Sequence, residues 1–311
     1  MSFGISVSQV ALMFILMSLG FVACRVRWIG DEAVAGMTKL VVYFVTPAVI
    51  VLAFQRPFDP ERLRTLGLVF VLDIVVFGLT AVLAALVFSR RFIADPQRRT
   101  ALQFGTTYTN AGFLGIPLAQ ALLGSDGVFY VVSFVVTFHL FVWTHGVALF
   151  GGRTGSRRKQ TLKLLTNPNL IAVAIGMTGF LTSWPLPDLL GQAAGHVAAM
   201  NTPLSMIVVG ANLAAISMRS VFRDRFAWLG TLARNVVVPL FFVAAMALVP
   251  LDPVAKLATL IATAAPVGAF LVMFSILHGW DTRFPTRFLA VSTVSAIVTL
   301  PAILWVASAV W

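Results

Sequence analysis

Ten apolar runs, each close to the length that crosses a bilayer as a helix and each bounded by short charged or turn-rich gaps, leave few folds open to this chain. A span takes about 20 residues at about 1.5 Å per residue. The runs fall at 6–24, 34–54, 65–88, 101–123, 127–150, 167–183, 189–214, 226–249, 253–277 and 286–309. With 59% hydrophobic and only 11% charged residues, a soluble globule of 311 residues would have nowhere to hide its apolar surface. The mean hydropathy of +0.95 points the same way. Disordered chains, disulfide scaffolds and soluble enzymes are excluded, and the expected fold is an all-α integral membrane protein with ten transmembrane helices.

The net charge of +11 is topological rather than a nucleic-acid footprint, because the basic residues sit in short connections and not on one solvated face. Odd-numbered connections carry sixteen Lys and Arg, among them Arg90, Arg98, Arg153, Arg157, Lys159, Arg219 and Arg283, whereas even ones carry four, Arg56, Arg62, Arg64 and Lys256. Cytoplasmic loops hold the positive excess, so both termini are expected outside the cytoplasm of a cell inner or plasma membrane. Cys24 is the single cysteine, which rules out an intramolecular disulfide and any multi-cysteine metal site. The first residues lack a basic n-region and a cleavage site, so no signal peptide is expected.

Five spans per half force the second half to enter from the opposite side, which predicts two five-helix inverted repeats. Prolines support the repeat: Pro47 pairs with Pro203 at an offset of 156, and Pro117 with Pro266 at 149. The expected units are residues 1–150, a cytoplasmic linker at 151–166, and residues 167–311. The fourth span, ALQFGTTYTNAGFLGIPLAQALLG, cannot run as an undisturbed helix. Gly105, Gly112 and Gly115 loosen it, Pro117 withholds the N–H that Phe113 would accept from, and Thr106, Thr107, Thr109 and Asn110 bring polar atoms to mid-bilayer. The ninth span repeats the device in TAAPVGAF around Pro266. Broken helices in matching positions of two inverted halves mark the substrate site of a secondary transporter. Two half-helix N-termini aimed at one point favour an anion.

These residues resemble the auxin efflux carrier family, which includes plant PIN auxin carriers and bacterial malonate-type carriers. TNAGFLGIPLAQALLG is similar to its Asn-x-Gly-Phe-x-Gly-x-Pro segment, NPNLIAVAIGM to the start of its second half, and PLSMIVVGANL to its Pro-Leu-rich span with a late Gly. The resemblance implies that spans 1, 2, 6 and 7 form a scaffold while spans 3–5 and 8–10 form a moving transport core with broken crossover helices four and nine. It also implies alternating access, commonly in a homodimer. Asn110, Gly112, Gly115 and Pro117 match the first crossover and Pro266 the second. Neither broken span carries a carboxylate, unlike the sodium-coupled bile-acid relatives.

The substrate-binding candidates are therefore Thr107, Asn110, Gly112, Gly115, Pro117 and Pro266, with Asn201 either touching substrate or serving as a packing or hinge residue beside Pro203. Asp73, near the middle of the third span, either couples transport to protons or is a bonded structural carboxyl, since a bare carboxylate there costs about 2.5–3.5 kcal/mol. His139 is the second coupling candidate, against simple hydrogen bonding in the bundle. His145 and His278 lie nearer the cytoplasmic surface, and His196 has no role. Lys39 and Arg234 are expected to snorkel to the cytoplasmic interface, with an anion lure at the inner vestibule as the alternative. Gly191 and Gly195 are read as a small-xxx-small packing pair. Trp28, Trp184, Trp228, Trp280 and Trp311 are read as interfacial anchors. The chain is thus expected to move a small organic anion, with membrane lipid as its other partner and no nucleic acid, cofactor or metal. It has no P-loop and none of the catalytic motifs an intramembrane enzyme would need, so that alternative and a transport-inactive sensor rank below a carrier.

Overall fold

A computed structural model describes residues 3–151, 162, 165–214 and 223–311. Arg153, Arg157, Arg158, Lys159, Lys163 and Arg219, on which part of the charge count rests, lie outside the described residues. All regular structure among the described residues is helical, and no strand is formed. Four helices start on one local device, an Asp or Asn followed by Pro. Asp59 caps Glu61 at 2.9 Å, Asp95 caps Gln97 at 3.0 Å, Asn167 caps Asn169 at 3.0 Å and Asp252 caps Ala255 at 2.9 Å. The side-chain oxygen satisfies an orphan N–H, and the proline at the first helical position has no N–H to orphan.

Seven helical stretches are long and apolar enough to cross a membrane: Val7–Arg25, Asp31–Ala53, Pro60–Val87, Ala111–Leu149, Asp188–Ala214, Arg225–Ala247 and Arg283–Val310. The chain is a multi-pass membrane protein. Shorter apolar helices occupy Pro168–Thr182 and Pro253–Ala264. The difference from the ten runs of the sequence has a local cause. The run at 101–123 divides into Pro96–Thr107 and a helix starting at Ala111, and the run at 253–277 into Pro253–Ala264 and Phe270–Leu277. Conversely, Ala111–Leu149 is interrupted at Gly124, whose φ of 63° and ψ of −152° turn the chain. Only glycine takes that conformation without strain.

Three prolines sit just past a single π-helical turn. Val41–Val45 precedes Pro47, Ala111–Gly115 precedes Pro117 and Ala233–Val237 precedes Pro239. A proline leaves the carbonyl four residues back without its usual donor and crowds it, and the wider turn relieves the clash while keeping the chain helical.

Helix Phe3–Arg25 packs along Asn201–Ala214, Thr46–Ala53 along Pro168–Thr182, and Pro253–Ala264 along Ile116–Phe141. The first contact is the tightest. A Cβ on Gly20 would strike the Ile207 carbonyl, and one on Gly210 would strike that of Met17. Gly191 and Gly195 were expected to do this work, yet a Cβ on either meets nothing within 4 Å. Sequence spacing identifies small residues, but only the packing says which of them face a neighbour.

Other surface readings also change. Trp28 and Trp184 are exposed as anchors should be, at 85% and 77%. Trp280 instead stacks on Phe150 at 4.7 Å, and the Trp311 indole donates to the Val243 carbonyl at 3.1 Å. At the end of the bundle that carries the even connections, Asp126 is held by Arg56 and by Arg62, the latter through Nη1 at 2.9 Å. Arg56 also lies over the Phe129 ring, 5.0 Å from its centroid.

Candidate functional site

The two helix breaks meet. The non-helical stretches Tyr108–Asn110 and Ala265–Gly268 run past each other, with Thr109 opposite Val267 in an antiparallel bridge. The Asn110 N–H donates to the Pro266 carbonyl at 2.7 Å and the Gly268 N–H to the Tyr108 carbonyl at 3.0 Å. Backbone groups freed by breaking a helix at this depth must be satisfied inside the protein, and each break satisfies the other. The remaining Val267 N–H donates to Ser292 Oγ at 3.0 Å, and Ser292 Oγ donates to Asn235 Oδ1 at 2.6 Å.

Glycine is required where the two breaks touch. A Cβ on Gly268 would lie 2.7 Å from the Thr109 carbonyl oxygen. Gly115 lets the second half-helix cross Ala262, with 3.4 Å left to its Cα. Gly112, in contrast, has open space where a Cβ would stand.

A cavity of about 450 Å³ lies against this crossing. Asn110 and Ala269, the residues that open the two second half-helices, line it, together with Phe113, Met273 and the polar Thr38, Asn212, Thr286 and Thr293. Asn110 makes no side-chain capping bond to the helix it precedes, so its amide remains available to a ligand. The wall continues to Ile276, Leu277 and Thr286, which flank the turn at Gly279 and give the cavity its direction towards the odd connections.

Of the sequence candidates, Asn110 is on the cavity wall and Pro266 is in the seam. Gly115 and Pro117 are buried and shape the half-helix. Thr107 is turned inward, its hydroxyl donating to the Gln103 carbonyl at 2.9 Å. Asn201 does not line the cavity: it is fully buried and donates to Gln120 Oε1 at 3.4 Å. The asparagine that does reach the cavity is Asn212, eleven residues or three helical turns further along the same helix. The same-face spacing was the signal that would have found it.

Asp73 is fully buried and accepts from Ser133 Oγ at 2.6 Å, with Oδ1 left without a partner. It bonds within the pair of helices Pro60–Val87 and Ile116–Phe141 rather than at the breaks. His139 is also buried and packs edge-on to Phe270, the first residue of the second half-helix, at 6.3 Å between rings. Its Nδ1 has no partner. His145 Nδ1 pairs with the Tyr108 hydroxyl at 2.9 Å, tying the first break to helix residues 37 positions on.

Arg234 departs most from expectation. It does not snorkel and does not line the vestibule. It is 1% exposed, and its guanidinium donates to the carbonyls of Thr106 at 2.9 Å and Ala265 at 3.2 Å, one from each break. Depth along a span can be counted from sequence, but the direction of the side chain cannot, and here it points inward.

A family model described as membrane transport protein matches residues 5–304. An uncharacterised transporter of Methanothermobacter thermautotrophicus is 24% identical over 303 residues, covering 96% of this chain and 97% of that protein. An uncharacterised transporter of Methanocaldococcus jannaschii is 18% identical over 309 residues, covering 97% and 99%. The chain belongs to the membrane transport protein family, in agreement with the resemblance to auxin efflux carriers drawn from its sequence.

Proposed function

We propose that the chain is a secondary transporter of a small organic anion, a carboxylate of the size of malonate, malate or an auxin-like acid, working by alternating access in a cell inner or plasma membrane. The observation that carries this reading is the meeting of two broken helices on the wall of a cavity of about 450 Å³, with Asn110 uncapped and facing it. Both second half-helices begin at that wall, and each helix N-terminus carries about +0.5 charge. With Asn110 as a hydrogen-bond donor, the site suits a carboxylate.

In this reading the ten apolar runs are ten spans in two inverted five-helix repeats, residues 1–150 and 167–311, with the termini outside. The pairing of Phe3–Arg25 with Asn201–Ala214 and of Thr46–Ala53 with Pro168–Thr182 supports a scaffold of spans 1, 2, 6 and 7. The other six spans would move as the core of a homodimer's protomer. On that orientation the cavity opens towards the cytoplasm, while Arg56 and Arg62 on Asp126 close the outer end.

The test is thermal stability of purified protein, wild type beside Asn110→Ala, against mono- and dicarboxylates with neutral compounds as controls. A ligand at 100 times its Kd adds about 2.7 kcal/mol to the folded state. Stabilisation by carboxylates that disappears in Asn110→Ala is expected. Stabilisation by neutral compounds alone would end the anion reading.

Protons or the membrane potential supply the driving force, and Asp73 is the coupling group, with His139 beside the second half-helix as its relay. In proteoliposomes, Asp73→Asn is expected to retain exchange at zero gradient but to lose acceleration by an imposed pH gradient, by tenfold or more. Unchanged gradient dependence in the variant would leave Asp73 as a structural carboxyl bonded to Ser133.

A further inference from the structure

A buried arginine without a carboxylate partner needs an account of its charge. Among the described residues the ion pairs involve Arg56, Arg62, Arg64, Arg283 and Arg287, and none involves Arg234. Guanidinium stays protonated even when buried. Its partners are carbonyls, and their position is specific. Thr106 lies in the last turn of Pro96–Thr107, and Ala265 directly follows Pro253–Ala264. The guanidinium therefore joins the C-terminal ends of both first half-helices.

A helix C-terminus carries about −0.5 charge, so the two ends together offset about one positive charge. What remains uncompensated is the pair of N-termini at Ala111 and Phe270, which face the cavity side of the same crossing. Arg234 also keeps a donor in reserve, since Nη2 is buried without a partner. Around it the hydroxyls of Thr106, Thr109 and Thr263 are buried and equally unused. The crossing is thus polar and net positive, and no carboxylate pairs with its guanidinium among the described residues.

We propose that Arg234 is the resident cation of the crossover: it fastens the C-terminal ends of the two broken helices to each other and offsets their negative charge, leaving the two N-termini as the positive charge against which the anionic substrate is held, so that no metal cation need bind with it. The π-helical turn Ala233–Val237 serves this arrangement twice over. It presents Arg234 to the carbonyl ends, and the adjacent Asn235 to Ser292, which holds the Val267 N–H. This inference rests on the organic-anion reading for the substrate, but not for the role of the cation in holding the breaks.

Two arms test it separately. In the first, Arg234→Ala and wild type are melted with millimolar guanidinium chloride, with urea as the uncharged equivalent of the same shape, and with sodium chloride at equal ionic strength. Guanidinium is expected to raise the midpoint of Arg234→Ala by several degrees, urea and sodium chloride not, and wild type is expected to respond to none of them. Equal responses to guanidinium and urea, or no response, would overturn the resident cation.

In the second arm, malonate and indole-3-acetate are titrated against wild type, Arg234→Lys and Arg234→Gln, which are close in volume. A binding midpoint weakened more than tenfold in Arg234→Gln and less in Arg234→Lys supports the charge, as does recovery of binding in Arg234→Ala when guanidinium is present. Equal midpoints in all three proteins overturn its role in substrate binding, and the two conservative variants decide the matter if Arg234→Ala does not survive extraction. A wild type that answers to no carboxylate would sink the organic-anion reading instead, and the first arm would still decide what Arg234 does.

Discussion

Gly268→Val is expected to abolish the response to carboxylates and to lower the melting midpoint by about 10 °C, the largest effect of any single change at the crossing of the two breaks. The reason is geometric. The new Cβ would stand 2.7 Å from the Thr109 carbonyl oxygen and 3.1 Å from its carbon, both backbone atoms that no rotamer change can remove. The breaks must separate. Two interlocking bonds then go, Asn110 N–H to Pro266 at 2.7 Å and Gly268 N–H to Tyr108 at 3.0 Å. Each contributes about 1 kcal/mol net, and overpacking adds about 1–3 kcal/mol. Asn110, which faces the cavity from one of these breaks, is displaced at the same time, so binding falls with stability. Gly112→Ala provides the comparison within the same break, because its Cβ would enter open space. It is expected to melt within about 2 °C of wild type. A valine variant that melts and binds like wild type would mean that a side chain at position 268 does not meet the Thr109 carbonyl.

Gly210→Leu is the second large effect and acts elsewhere. Helices Phe3–Arg25 and Asn201–Ala214 touch backbone to backbone through Gly210 against Met17 and Gly20 against Ile207. In a membrane, association of helices depends on such close packing, because lipid tails are as apolar as leucine. A leucine side chain at this position has to drive the helices apart, at a cost of about 3 kcal/mol or more. The expected result is a collapse of monodisperse yield on size-exclusion chromatography. Gly191→Leu, at a position of the same residue type with nothing within 4 Å, is expected to purify as wild type. Similar behaviour of the two variants would show that the contact at Gly210 does not hold these helices together.

Much of the architecture is legible without coordinates because its causes are local. An apolar run of the right length has no alternative in lipid to a helix, since its backbone groups must bond within the segment. An Asp or Asn followed by Pro starts a helix wherever it stands, as at Asp59, Asp95, Asn167 and Asp252. Pro266 interrupts its helix for the same kind of reason, the missing N–H, whereas a π-helical turn absorbs Pro117 and the first break falls ahead of it, at Tyr108–Asn110, where Asn110 is marked as functional by being polar. None of this requires knowledge of what lies nearby.

What required the tertiary structure was, in each case, a partner distant in sequence. Thr109 meets Val267 and Arg234 meets Thr106, 128 residues apart. A one-residue change in helix phase turns a side chain by about 100°, so a count along the span gave Arg234 its depth but not its inward direction. The same holds for glycine: spacing alone cannot tell Gly191 and Gly195, which face open space, from Gly20 and Gly210, which face a backbone. Local chemistry made the helices and broke them. Which atoms the breaks, the arginine and the glycines then touch was decided only when the helices packed, because contact depends on the rotation and approach of whole helices that no single segment encodes.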